Sequence, residues 1–281
     1  MISYMHVRRA MGVAVFIGFL SILFFFHKHT VHTPVVETAF FLPETFVESD
    51  RSTNTPQEQS DITAVVVPHH LIAGEPLARI FKLLRTKGYT RVFIIGPNHY
   101  DQGHANILTA TVDVDTSFGI QKGNRWINAP DIPLELLKNE HSIMGIMPYV
   151  AYYLEAQTQP LILKAKTANS ELETLADQLA KESDSRTIII FSVDFSHYLP
   201  REIAERNDQV TAKALLAMDE QVLYDMNNDY IDSPPSLVLM MKLCKKAGAR
   251  FTIVDHTNSA DLLGQPNLLS TTSHFTGYCA R

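Results

Sequence analysis

The sequence predicts an α/β domain with a mostly parallel central sheet flanked by helices, preceded by an N-terminal transmembrane helix. Three observations predict it. The runs 62–67 (ITAVVV), 91–95 (RVFII) and 187–193 (TIIIFSV) are short and rich in β-branched residues, as strands buried on both faces are. Between the first two, Leu77, Ile80, Phe81 and Leu84 recur on one helical face, and Gly88 closes that helix. A strand, a helix and a strand within about forty residues form the crossover unit of a parallel sheet. The third observation is an uncharged apolar run from Ala10 to Phe26.

That run is near the length needed to span a bilayer. Arg8 and Arg9 precede it, His27, Lys28 and His29 follow it, and no small-x-small cleavage pattern comes soon after. The expectation is an uncleaved signal anchor. Residues 1–9 are cytoplasmic, 10–26 span the membrane, and the domain lies on the extracytoplasmic side of a single-pass membrane protein. Residues 27–61 are expected to be a flexible linker, because 48–61 (ESDRSTNTPQEQSD) has the polar composition of one. The domain proper then runs from 62 to 281.

Within it, 106–112 reads as a third strand and 115–124 as a polar, turn-rich stretch. The spacing predicts helices over 133–138 and 141–156, a strand over 161–165 and a helix over 171–182. After the 187–193 strand come helices over 201–218 and 234–246, the second stopped by Gly248. Late strands are expected over 251–254 and 274–278.

Composition excludes several classes. A net charge of −6 supplies no basic excess to neutralise phosphate, so nucleic acid is not an expected partner. The 2 cysteines, Cys244 and Cys279, make neither a disulfide framework nor a thiolate zinc site, and whether they pair is left open. Gly-x-Ser-x-Gly and Gly-rich phosphate-loop motifs are absent from the sequence.

The 12 histidines are informative through their placement. Three expected strands end in a histidine-bearing turn: Pro68-His69-His70, Gly96-Pro97-Asn98-His99 and Asp194-Phe195-Ser196-His197. The carboxyl ends of parallel strands share one edge, where ligands bind in open α/β sheets. Neutral imidazole ligates iron, copper and zinc, and Pro and Gly suit sharp turns that aim a side chain outward. Asp194 stands three residues before His197 and can orient an imidazole through its second nitrogen. Taken singly, each histidine reads more readily as an ordinary surface or hydrogen-bonded residue, and it is the three placements together that point to a site. His141 reads as part of a polar helix start, with Glu140 complementing the helix dipole.

These strings, PHH, GPNHY, EHSIMGIMPY, SVDFSHY and STTSHFTGY, occur in the order seen in Memo-like proteins, which the sequence resembles from about residue 62 to its end. In microbes that family is named as the B component of the AmmeMemoRadiSam system. The resemblance implies a fold related to the class III extradiol dioxygenases, which hold non-haem iron(II) with two histidines and a carboxylate. It implies that His69 and His99 are metal ligands, and that His197 is the acid–base or site-lining histidine with Asp194 beside it. Where Memo-like proteins usually carry a cysteine, Asp232 aligns. His69, His99 and Asp232 then recreate a two-histidine, one-carboxylate triad, although Asp232 also suits a helix cap before Pro234. Met144 and Ile146 replace the acidic and polar residues that often follow the EHS string, which implies an apolar pocket wall. The N-terminal apolar segment is an addition to the family pattern.

Two functions compete. One is a metal-dependent, dioxygenase-type enzyme acting on a small molecule, with His197 moving a proton. The other is a non-catalytic protein that binds copper or iron or offers a scaffold to a protein partner. Iron(II) or copper is the expected metal and zinc is compatible. A zinc-assisted hydrolase is a weaker third reading.

Overall fold

Each central strand divides its side chains between two cores. In a computed structural model describing residues 33–54 and 61–281, Val65 and Val67 face one hydrophobic cluster, while Ala64 and Val66 face the other. Val92 and Ile94 oppose Phe93 and Ile95, and Ile188 and Ile190 oppose Ile189 and Phe191, in the same way. This period-two alternation is the pleat itself, and burial on both faces is why these strands read as unbroken apolar runs.

In chain order the strands are β1 (Val35–Glu37), β2 (Ile62–Val67), β3 (Arg91–Pro97), β4 (Ile107–Thr109), β5 (Asp113–Thr116) and β6 (Gly119–Gln121). They continue as β7 (Gln157–Leu163), β8 (Thr187–Ser192), β9 (His197–Leu199), β10 (Arg250–Asn258) and β11 (Thr271–Ala280). The central sheet has the order β10-β11-β2-β8-β3-β7-β4, with β9 paired to β11. β2, β8, β3 and β7 are mutually parallel, whereas β4, β9, β10 and β11 pair antiparallel. The expectation of a mostly parallel sheet is therefore corrected to a mixed sheet with a parallel centre. The late strands are not joined by a helical crossover of the parallel type, so β10 returns directly into β11 as an antiparallel partner.

The Gly74–Arg85 helix and the 134–153 helical region cover one face, contributing Leu77, Phe81, Leu137 and Tyr149. The Asn169–Glu182, Arg201–Ala217 and Pro234–Lys246 helices cover the other, contributing Leu172, Leu215 and Met241. A disulfide joins Cys244, in the last of these, to Cys279 of β11, with Cα atoms 5.8 Å apart.

Two stretches differ from expectation. Within 27–61, read as linker, the structure places β1 and a Pro43–Ser52 helix. That helix is polar but for a few side chains; Phe46 anchors it at 5.0 Å from the ring of Tyr149, and Asp50 accepts a hydrogen bond from Tyr153 Oη. The 115–124 stretch, read as turns, contains a β5–β6 hairpin that builds a separate three-stranded sheet with β1.

The expected membrane localisation is also corrected: among the described residues, no helix is long and apolar enough to cross a membrane. The segment 10–26, on which that expectation stood, lies outside the described residues.

Candidate metal centre

β2, β8 and β3 lie side by side, with Val67 opposite Ser192 and Ile95 opposite Phe191, so their carboxyl ends finish level. That level edge brings three turns together: His69 and His70 after β2, Asp194 after β8, and His99 after β3. A fourth element, the short His141–Met144 helix, presses onto β3 from one side. Gly96 permits this approach, since a Cβ there would sit 2.6 Å from Ser142 Oγ.

The rings of His69, His99 and His141 are mutual neighbours. Their centroids are 5.2 Å apart for His69 and His99, 4.9 Å for His69 and His141, and 4.3 Å for the stacked pair His99 and His141. One nitrogen from each lies within 4.8 Å of the other two, so the three can hold a divalent metal ion. Asp232 joins them, with Oδ2 3.1 Å from His69 Nε2 and 3.7 Å from His99 Nε2. The main chain delivers it: Asp232 N donates to Asp194 O, and Ile231 bridges to Phe195. Asp232 caps nothing. The following helix has Ser233 at its cap with no side-chain hydrogen bond, and both Asp232 oxygens are without a hydrogen-bond partner.

The outward nitrogens are fixed from behind. His99 Nδ1 lies 2.7 Å from Glu140 Oε1, and His99 N donates to Glu140 Oε2. Glu140 is fully buried and also accepts from Ser142 N and Oγ. A carboxylate on one imidazole nitrogen keeps a proton there, so Nε2 is the nitrogen whose proton a metal ion would displace. His69 Nδ1 lies 3.2 Å from Ser192 Oγ, which likewise turns Nε2 towards Asp232.

The residues fit a metal on one further ground. His69 Nε2 and both Asp232 oxygens are buried and lack any hydrogen-bond partner, because the 3.1 Å pair is not aligned as a hydrogen bond. Buried polar atoms left in this way are costly unless something satisfies them, and a cation bonded to all three does so. The local charge agrees. Burial raises the Asp232 carboxyl pKa, but His69 and His99 outweigh it and hold the group well below the usual range. Burial opposes charge on His99, yet Asp232 and Glu140 raise its pKa to about 10. His141 goes the other way: burial, then His69 and His99, lower it to about 4. Carboxylates thus surround the two central imidazoles, an environment built for positive charge.

The remaining expected residues fall nearby. Asp194 is buried, and its Oδ1 accepts from the backbone N–H of His69 at 3.0 Å and of His70 at 3.4 Å. It therefore fixes the His69–His70 turn; its Oδ2 lies 3.5 Å from His69 Nε2, and it makes no hydrogen bond to His197. His197 opens β9, with its Nδ1 buried and unpartnered. Met144 and Ile146 are fully buried in the hydrophobic core.

Sequence reasoning missed three participants. His141 was read as helix polarity, although the EHS string itself carried the signal. Glu140 was read as a dipole partner, and it holds His99 instead. His70 Nδ1 lies 3.0 Å from His274 Nε2, and nothing in the local sequence around position 274 pairs it with position 70.

Comparison with known proteins identifies a family and several relatives. A family model described as Memo-like protein matches residues 43–270. A MEMO1 family protein of Archaeoglobus fulgidus is 26% identical over 236 residues, covering 78% of this chain and 88% of its own. One from Methanopyrus kandleri is 30% identical over 187 residues, covering 60% and 65% respectively. One from Pyrobaculum aerophilum is 24% identical over 217 residues, covering 71% and 77%. Among solved structures, an uncharacterized protein from Escherichia coli K12 superposes with a TM-score of 0.42 at 10% identity, covering 76% of this chain and 99% of that one.

Proposed function

Since the chain belongs to the Memo-like family, we propose that it is a metal protein whose divalent ion is bound by His69 Nε2, His99 Nε2 and Asp232. The observation that carries this reading is the set of orphaned, buried donor atoms, His69 Nε2 and both Asp232 oxygens, facing one another. Two histidines and a carboxylate on one side of an ion leave its other positions open, which suits iron(II) and oxygen chemistry on a small molecule. Glu140 holds His99 in the ligating tautomer, and Asp194 holds the turn that carries His69. His197, whose Nδ1 is buried and unpartnered, would exchange a proton with a bound small molecule.

A second reading has its own observation. His141 gives the cluster a three-nitrogen donor set with His69 and His99. Three imidazoles suit copper or zinc, and a protein that holds such a metal without turnover needs nothing further. Anaerobic reconstitution with iron(II), copper or zinc, followed by elemental analysis of D232N and H141A variants, separates the two. Loss of metal from D232N, with H141A retaining it, supports the two-histidine, one-carboxylate site. Loss from H141A alone supports the three-nitrogen site. No stoichiometric metal in the unaltered protein under any loading defeats both.

A further inference from the structure

We propose that Asp208 is a positioning residue that aims His197 and His274 at the histidine cluster; this rests on the reading of His197 as a site residue. Asp208 lies in the Arg201–Ala217 helix and is 1% exposed. Its Oδ1 accepts from Ser196 Oγ at 2.8 Å and from Ser273 Oγ at 2.7 Å, and its Oδ2 lies 2.8 Å from His256 Nε2. Ser196 and Ser273 each stand one residue before a histidine, His197 and His274. One buried carboxylate thus grips the residue preceding each of two histidines from separate parts of the chain.

The main chain locks the same two segments together. Phe195 N donates to Ser273 O at 3.0 Å, and Ser273 N donates to Ser196 O at 2.9 Å. In a strand such as β11 neighbouring side chains point to opposite sides, so Ser273 turned to Asp208 sends His274 away from it. His274 then meets His70 at 3.0 Å, and His70 directly follows His69. His256 closes the far side of the carboxylate, its ring stacked on Phe275 at 4.3 Å. A buried carboxylate needs this many donors; Ser196 Oγ also reaches Ala204 O at 3.4 Å, but its shorter bond is to Asp208, so the geometry at Asp208 passes to the residues beside the two histidines. Asp208 bonds none of the proposed ligands, so its effect is separable from metal binding.

The test uses the full chain with isotope-labelled histidine, metal-free or zinc-loaded, observed by imidazole NMR. In D208N, the His197 and His274 signals should shift or broaden. The His99 signal, held by Glu140, should stay in place, and cooperative unfolding and metal content should be retained. Unchanged His197 and His274 signals in D208N overturn the proposal. Should D208N fail to fold, S196A and S273A each remove one donor. S196A should then move mainly His197 and S273A mainly His274, and no movement in either overturns it equally. Metal content is read separately in the unaltered protein, so a failed metal site leaves this comparison standing.

Discussion

The two edges of the parallel sheet are polar in different ways. At the amino edge, where β2 and β8 begin, a cavity of about 690 Å³ is lined by Tyr89, Asp184, Thr187, Lys246 and Arg281 among others. Its polar groups find protein partners: Tyr89 Oη donates to Ile62 O, Lys246 to Asp177, and Arg281 Nε to Ala247 O, while Asp184 accepts from Thr187. At the carboxyl edge the bonding is incomplete. Of five buried side-chain polar atoms without a partner among the described residues, four belong to His69, His197 and Asp232, and the fifth is Thr53 Oγ1. The lesson is that unsatisfied chemistry, more than cavity size, separates a site from a recess.

The first way to break that comparison is to remove the chemistry from the carboxyl edge. Changing both His69 and His99 to Ala should weaken metal binding more than about 100-fold, to background in elemental analysis. Metal retained by the double variant would show that the orphaned atoms do not mark the site. The amino edge is the place to look for a purely structural effect. The disulfide spans a separation of 35 residues, and replacing Cys244 and Cys279 by Ser should cost about 3–4 kcal/mol. In a domain of this size that lowers Tm by about 6–16 °C. Metal content should not change, and a loss of metal would mean that the two edges are coupled.

A smaller effect sharpens the account of the carboxyl edge itself. Glu140→Gln keeps the volume but loses the carboxylate behind His99, and chelator competition should read metal binding about 10–100-fold weaker. Unchanged affinity would reduce Glu140 to a packing residue. The smallest effect is a pH slope. His274 is buried, and burial lowers its pKa from 6.5 to about 4, with nearby His70 and His197 reinforcing that and Asp194 opposing it. The folded ring is neutral, so the unfolded chain binds the proton first. The contribution to stability is complete above the unfolded value and is lost as pH falls through the folded one. The slope should reach about 1.4 kcal/mol per pH unit in that window. His141 is shifted the same way and adds to the slope. Urea unfolding of the metal-free protein and of H274N across the window reads it. Equal slopes in the two proteins would remove His274 from the account.

Legibility in the sequence followed the range of the interactions. The Gly74–Arg85 and Pro234–Lys246 helices and the β2 and β3 starts were readable because their periodicity and stop residues are local. The turns carrying His69 and His99 were readable because each follows a recognisable strand. β1 and the Pro43–Ser52 helix were not, because β1 depends on pairing with β5 and the helix on Phe46 reaching aromatic rings a hundred residues away in the chain. His141 was misread for a related reason: its helix is four residues long, and its partners come from other turns.

The sequence alone determined the α/β class, the double-sided burial of the central strands and the family, since these are written in local pattern and ordered motifs. It also placed histidines at strand ends. The tertiary structure decided which side chains meet: Asp232 with His69, Glu140 with His99, His70 with His274, and Asp208 with two serines. Those pairings join residues tens to hundreds of positions apart, and the register of the parallel strands together with the antiparallel pairing of β11 brings them within bonding distance.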